Sequence, residues 1–131
     1  MRITEHDTLD GLIADMKAIP VKAKAEMREI VRDGARAGNE LAKDFARRSS
    51  GTHARKYPGT FSSEVLSGRG LFGNVYSAEY GPRVGGQGSL APILENGSRN
   101  NPPHLNLARS ADIIGPSFAQ EVRQRMDGWF W

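Results

Sequence analysis

Any chemistry in this chain would have to come from three scattered histidines, a few carboxylates, two adjacent serines and one run of cations beside a tyrosine. His6, His53 and His104 stand apart, and no His-x-x-x-His pair exists to hold a metal. There is no cysteine, which removes disulfides and thiolate metal sites and is compatible with folding in a cytosol. Gly68-Arg69-Gly70 and Gly85-Gly86-Gln87-Gly88 are rich in glycine. Neither is followed by the Lys-Ser/Thr of a phosphate loop, so both read as turns or mobile loops. Ser49 and Ser50 lack a nucleophile-elbow context. Glu79 and Glu95 could face one another across a sheet, but an acid/base pair needs more than two acids. No catalytic, cofactor-binding or metal-binding residue is expected, and the chain reads as a non-enzyme without a cofactor.

Binding is better represented than catalysis. Arg47, Arg48, His53, Arg55 and Lys56 precede Tyr57, and cations beside an aromatic ring suit phosphate neutralisation and base stacking. The same run, with Gly51, Pro58 and Gly59, also reads as an exposed arm whose cations meet the acids of a neighbouring subunit. Trp129-Phe130-Trp131 closes the sequence. Aromatic side chains of roughly 150–250 Å² each are poorly left in water. They either fold back on their own core or fill a groove on a partner.

These residues must be placed by the elements around them. The length of 131 residues suits one domain with one modest core. No run of 18 apolar residues exists, so no membrane span is expected, and the first residues lack the apolar stretch of a secretory signal. The net charge of +3 is uneven: residues 21–60 carry ten Lys/Arg against five Asp/Glu. Asp7 or Thr8 can cap a first helix bearing Leu9, Leu12, Ile13 and Met16 on one face, which Pro20 stops unless it opens the next. From Val21 to Arg48 a long amphipathic helix is expected, with Met27, Ile30, Gly34, Gly38 (or Ala37), Leu41 and Phe45 as its stripe. Gly34 and Gly38 make sense there if another backbone crosses closely.

Residues 49–60 are expected to form a basic loop or arm, and 61–104 strands and loops. Phe61–Leu66 and Leu71–Tyr80 read as strands joined by a turn at Gly68–Gly70. Residues 81–89 read as a flexible loop and 90–98 as a short apolar segment ended by a turn. From 105 to 128 a second long helix is expected, bearing Leu107, Ala111, Ile114, Phe118, Val122 and Met126. Gly115-Pro116 should kink or divide it, and residues 129–131 form an aromatic tail. The fold class is therefore α+β: a small antiparallel sheet packed by a long N-terminal helix and a C-terminal helix, with long extended loops.

One stretch carries a resemblance. Leu90-Ala91-Pro92-Ile93-Leu94-Glu95-Asn96-Gly97-Ser98, followed by Pro102-Pro103-His104-Leu105-Asn106-Leu107-Ala108, resembles a pattern of the neck proteins of long-tailed bacteriophages. These are the head–tail joining, tail-completion and tail-terminator proteins. Their pattern is aromatic-Ala-Pro-apolar-apolar-Glu-aromatic-Gly-Ser/Thr, then a Pro-Pro loop and a C-terminal helix. Leu90 and Asn96 stand where the family often has aromatic residues, and His104-Leu105-Asn106 where it usually has Arg-Pro-Phe. The residues of the pattern found here are Ala91, Pro92, Leu94, Glu95, Gly97, Pro102 and Pro103. Glu95, within an apolar patch, is either satisfied by backbone donors or paired with an arginine, which a neighbour could supply.

The resemblance implies a structural virion protein at the head–tail junction, assembled in the bacterial cytoplasm. It implies a homo-oligomeric ring, a hexamer for a terminator, that caps the tail-tube protein and docks it to the head connector or stopper protein. DNA would pass the lumen without sequence-specific binding, and no membrane is involved. Arg47, Arg48, Arg55, Lys56, Tyr57, Glu95, Trp129, Phe130 and Trp131 are the residues expected at such interfaces. A minor tail component or another neck component (head-closure or adaptor) of the same fold, or a small basic nucleic-acid-binding module, are the alternatives.

Overall fold

The computed structural model describes residues 9–70 and 73–130, with side chains placed for 23–66 and 76–129. Helix α1 spans Leu9–Ser49. Strands β1 (Phe61–Gly70) and β2 (Gly73–Pro82) follow, then helix α2 (Ala91–Asn96) and helix α3 (Asn106–Phe130). The fold is α+β, as expected, with α1 and α3 packed against a two-stranded antiparallel sheet. Helix α1 lies across both strands and along α3. Helix α3 reaches the sheet at Tyr80, whose hydroxyl lies 2.8 Å from Ser110 Oγ.

Helix α1 does not stop or restart at Pro20. It continues for 41 residues, about 60 Å at ~1.5 Å per residue. A proline removes one link of the hydrogen-bond ladder, and the Ala, Lys and Glu around it keep the rest. Asp7 and Thr8 lie outside the described residues, as do the side chains of Leu9, Leu12, Ile13 and Met16. Helix α3 likewise runs through Gly115-Pro116 undivided, and it takes in Trp129 and Phe130, which were expected as a tail beyond it. Trp131 lies outside the described residues.

The buried face of α1 includes Ile30, Gly38 and Phe45 of the expected stripe, while Ala37 is exposed. It also includes Ala35, Ala42 and Ala46, which a count of large apolar residues overlooks. Small side chains there let the sheet and the following turns come close. Gly34 and Gly38 serve the same end, but what crosses them is not backbone. A Cβ at Gly38 would lie 2.6 Å from the ring of Tyr80, and one at Gly34 would lie 2.9 Å from the ring of Phe118.

Strand pairing runs from Phe61↔Pro82 to Gly70↔Gly73, so Gly68-Arg69-Gly70 is strand and not the expected turn. Pairing settles which way the side chains face. Val65, Ala78 and Tyr80 turn toward the helices, while Glu64, Leu66, Ser77 and Glu79 turn outward.

The expected basic arm at 49–60 is instead a compact elbow of two 3-10 turns, Thr52–Ala54 and Pro58–Thr60. Ala54, Tyr57 and Pro58 are buried in it. Tyr57, which has no exposed surface, meets the ring of Phe61 edge to face at 5.1 Å and packs with Ala42, Ala46 and Ala54. Burying a ring of this size contributes about 3 kcal/mol, which is why the elbow is drawn into the core and does not reach out. The stretch at 81–89, expected as a loop, enters a 3-10 turn (Gly86–Leu90), and the short apolar segment at 90–98, placed among strands and loops from sequence, forms α2 as far as Asn96. Leu90, Ala91 and Leu94 from it pack on the Tyr57 core.

Candidate functional site

The residues from Ala91, at the start of α2, to Ala108, in the first turn of α3, close on themselves, and Glu95 is the clasp. Its two carboxylate oxygens accept hydrogen bonds from the backbone N–H groups of Leu107 (3.0 Å) and Ala108 (2.9 Å). Those donors belong to the first turn of α3, which has no intrahelical partners for them. A carboxylate at a helix N-terminus also meets the positive end of the helix dipole. Of the two fates open to Glu95, backbone donors are the one found. Both of its oxygens accept a backbone N–H within the chain, so this side chain shapes the fold.

The connection is fixed at every step. Pro92 opens α2, and Gly97 ends it with φ of +82° while its N–H bonds Ile93 O at 2.8 Å. Any Cβ at Gly97 would come within 2.8 Å of Pro103 N, so only glycine fits both the turn and the approach of the Pro-Pro segment. Ser98 and Asn101 pair across a tight bridge. The chain then turns back through Pro102-Pro103, with His104 N–H donating to Leu94 O (2.9 Å) and Leu105 N–H to Glu95 O (3.2 Å). Ala91, Pro92, Leu94, Glu95, Gly97, Pro102 and Pro103 are thus brought together into one rigid box. Leu94 faces the core, whereas Pro92, Pro102 and Pro103 face solvent.

The basic elbow is divided by its own folding. Arg48, Arg55 and Lys56 are exposed, and Arg47 pairs with Asp44 at 2.7 Å. Tyr57 is buried, so it cannot stack on a base or reach a partner; the cation-plus-aromatic arrangement expected for nucleic acid is not formed. Burial first, and the charge of Glu95 second, push the Tyr57 hydroxyl up to about 12. Among the described residues that hydroxyl has no hydrogen-bond partner. Gln87 locks the elbow in place: its Oε1 accepts from Lys56 N–H at 2.6 Å and its Nε2 donates to His53 O at 3.3 Å.

At the opposite end of the helix pair, Trp129 folds back on its own chain and donates its indole N–H to Glu26. Arg125 sits in the same place, 3.0 Å from Glu121, 3.8 Å from Glu29 and 3.9 Å from Glu26. Of the aromatic triplet, Trp129 therefore follows the fold-back alternative; the side chains of Phe130 and Trp131 fall outside those described. Between the two ends, α1, β2 and α3 leave an open cleft of about 380 Å³ bordered by Gly34, Tyr76, Ile114 and Phe118.

Sequence reading missed several residues that hold the site. Asn106 and Ser110 are fully buried polar side chains in α3. Asn106 Oδ1 accepts from Ser49 Oγ at 3.2 Å, which ties the end of α1 to the start of α3. Ser110 ties α3 to β2 through Tyr80. Their spacing of four was visible, but an apolar template passes over polar residues on a buried face. Among the described residues, no group of three or more His, Asp or Glu is placed to hold a metal, and no helix is long and apolar enough to cross a membrane. Comparison with protein-family models, with curated proteins and with solved structures found no match to this chain.

Proposed function

We propose that the chain is a structural subunit of the head–tail junction of a long-tailed bacteriophage. It would form a ring that caps the tail tube, docks it to the head connector and leaves a channel for DNA. The observation that carries this reading is the box at 90–108. The residues that resemble the neck-protein pattern are the ones that lock α2, the Pro-Pro turn and α3 at fixed angles. Glu95 is spent on two backbone N–H groups and Gly97 on a turn that admits no other residue. Such a box orients rigid elements, as a ring subunit requires, and activates no substrate. The burial of Tyr57 speaks against the nucleic-acid module, because the exposed cations are left without a stacking ring.

Electron microscopy of the purified chain tests the reading. Closed rings of one size are expected, and labelled rings should sit at the neck of virions. A phage lacking the chain should yield full heads and separate tails of uncontrolled length. Intact infectious particles without it would overturn the proposal.

A further inference from the structure

The hairpin has a face that nothing in the described chain covers. Helix α1 packs on the side of Val65, Ala78 and Tyr80, leaving Glu64, Leu66 and Glu79 exposed on the other. Glu64 and Glu79 are direct cross-strand partners. Side chains so paired stand ~4.5–5.5 Å apart at Cβ, and like charges there are destabilising. Among the described residues no cation lies within 4.0 Å of either. A hairpin of two ten-residue strands thus carries two facing carboxylates and a half-exposed leucine on its outer face.

The complementary surface is the elbow. Residues 45–63 contain four Lys/Arg and no Asp/Glu. Arg48, Arg55 and Lys56 are exposed there, and among the described residues none has a carboxylate within 4.0 Å. The elbow is held rigid by Tyr57 and Gln87, so its cations are presented at fixed positions. We propose that the outer face of the hairpin seats the basic elbow of a second copy, with Arg55 or Lys56 between Glu64 and Glu79. A cation there removes the like-charge repulsion inside one subunit and joins it to the next. The two surfaces differ, so the contact is head-to-tail, which closes into a ring when the rotation allows. This inference rests on the reading of the chain as a ring subunit and names its contact.

Charge reversal tests it, read by mass photometry across a concentration series with circular dichroism as the folding control. E64K/E79K and R55E/K56E should each weaken self-association at least about tenfold. Mixing the two variants should restore it, because each elbow then meets a hairpin of opposite charge. A single chain carrying all four changes should also assemble. Where a reversal perturbs the fold, E64Q/E79Q reads the same contact: it removes the intrachain repulsion, so the subunit should melt no lower while assembly weakens. Rings that survive both reversals, or a mixture that stays dissociated although both chains are folded, would overturn this contact and leave the ring reading standing. A native chain that remains monomeric at every concentration would overturn both.

Discussion

Where Ser49 meets Asn106, α1 and α3 are joined through buried groups; where Glu26 meets Arg125, they are joined through charges that are half in water. At the first end, Tyr57, Phe61 and the α1 alanines exclude solvent, and Glu95 caps two backbone donors. At the second, three glutamates share one guanidinium and one indole at the surface. A hydrogen bond lost in the first place leaves a group that water cannot fully reach, whereas an ion pair lost in the second is replaced by solvent. The elbow end should therefore set the stability of the fold, and the far end should yield first. Substitutions at five positions test that difference, and the largest effect belongs to Glu95.

Replacing Glu95 by Ala removes both acceptors at the start of α3 and should cost about 2 kcal/mol. In thermal melts this would appear as a Tm lower by about 5–10 °C. Glu95→Gln keeps one acceptor oxygen and should lose about half as much. If Glu95→Ala melts like the native chain, the box does not hold α3, and the contrast between the two ends fails at its strongest point.

Gly38 and Gly34 form a matched pair on one helix face. Each would gain about 0.5–1 kcal/mol from Ala if only helix propensity counted. At Gly38 the obstructing Tyr80 ring is anchored by its hydroxyl to Ser110, 2.8 Å away, and cannot retreat. At Gly34 the Phe118 ring borders the open cleft and has room to turn. Gly38→Ala should thus destabilise by about 1–2 kcal/mol net, and Gly34→Ala should stay within about 0.5 kcal/mol of the native chain. Equal denaturation midpoints for the two variants would show that the cleft gives no freedom.

How far these features were legible follows the kind of force involved. The helix faces, the paired strands and the turn at Gly97 rest on local residue choice, and periodicity with turn chemistry finds them. The continuity of α1 through Pro20 was not legible, because one missing hydrogen bond is outweighed by the good helix formers on both sides. Tyr57 was misread for a related reason. Its neighbours Arg55 and Lys56 are charged, so the run looks solvated, yet the tyrosine points inward while they point out. Glu95 could be narrowed to two fates, but the choice depends on where the N-terminus of α3 arrives, eleven residues further along and set by tertiary packing.

Tyr57 sharpens the comparison through pH. Its hydroxyl is buried without a partner among the described residues, so Tyr57→Phe removes an unsatisfied polar atom and should be neutral or stabilising by about 1 kcal/mol near neutral pH. Ionisation in the unfolded chain begins near the ordinary value of 10.0, while the folded chain holds its proton until about 12. The unfolded state therefore loses its proton first, and stability should fall as pH rises through that interval, then level off. The decline assignable to this side chain is on the order of 2–3 kcal/mol. Urea midpoints taken across the alkaline range should fall less steeply for Tyr57→Phe than for the native chain. Parallel curves would mean that the hydroxyl reaches water and that the elbow is not sealed.

The smallest effect belongs to Arg125. Its bond to Glu121, with the charges of Glu29 and Glu26 behind it, holds the guanidinium more firmly protonated than usual. Exposed pairs of this kind are weakened by salt, since the Debye length is about 8 Å at physiological ionic strength. Arg125→Ala should lower the melting temperature less than Glu95→Ala or Gly38→Ala, and the difference should shrink as salt is added. It also leaves Glu26, Glu29 and Glu121 near one another without their shared cation, so hydrogen exchange should quicken at the last turns of α3 before it quickens at Asn106. If the amides near Asn106 exchanged equally fast in the variant, the two ends would be a single cooperative unit. The contrast between buried bonds and surface charges would then describe their appearance and not their energetics.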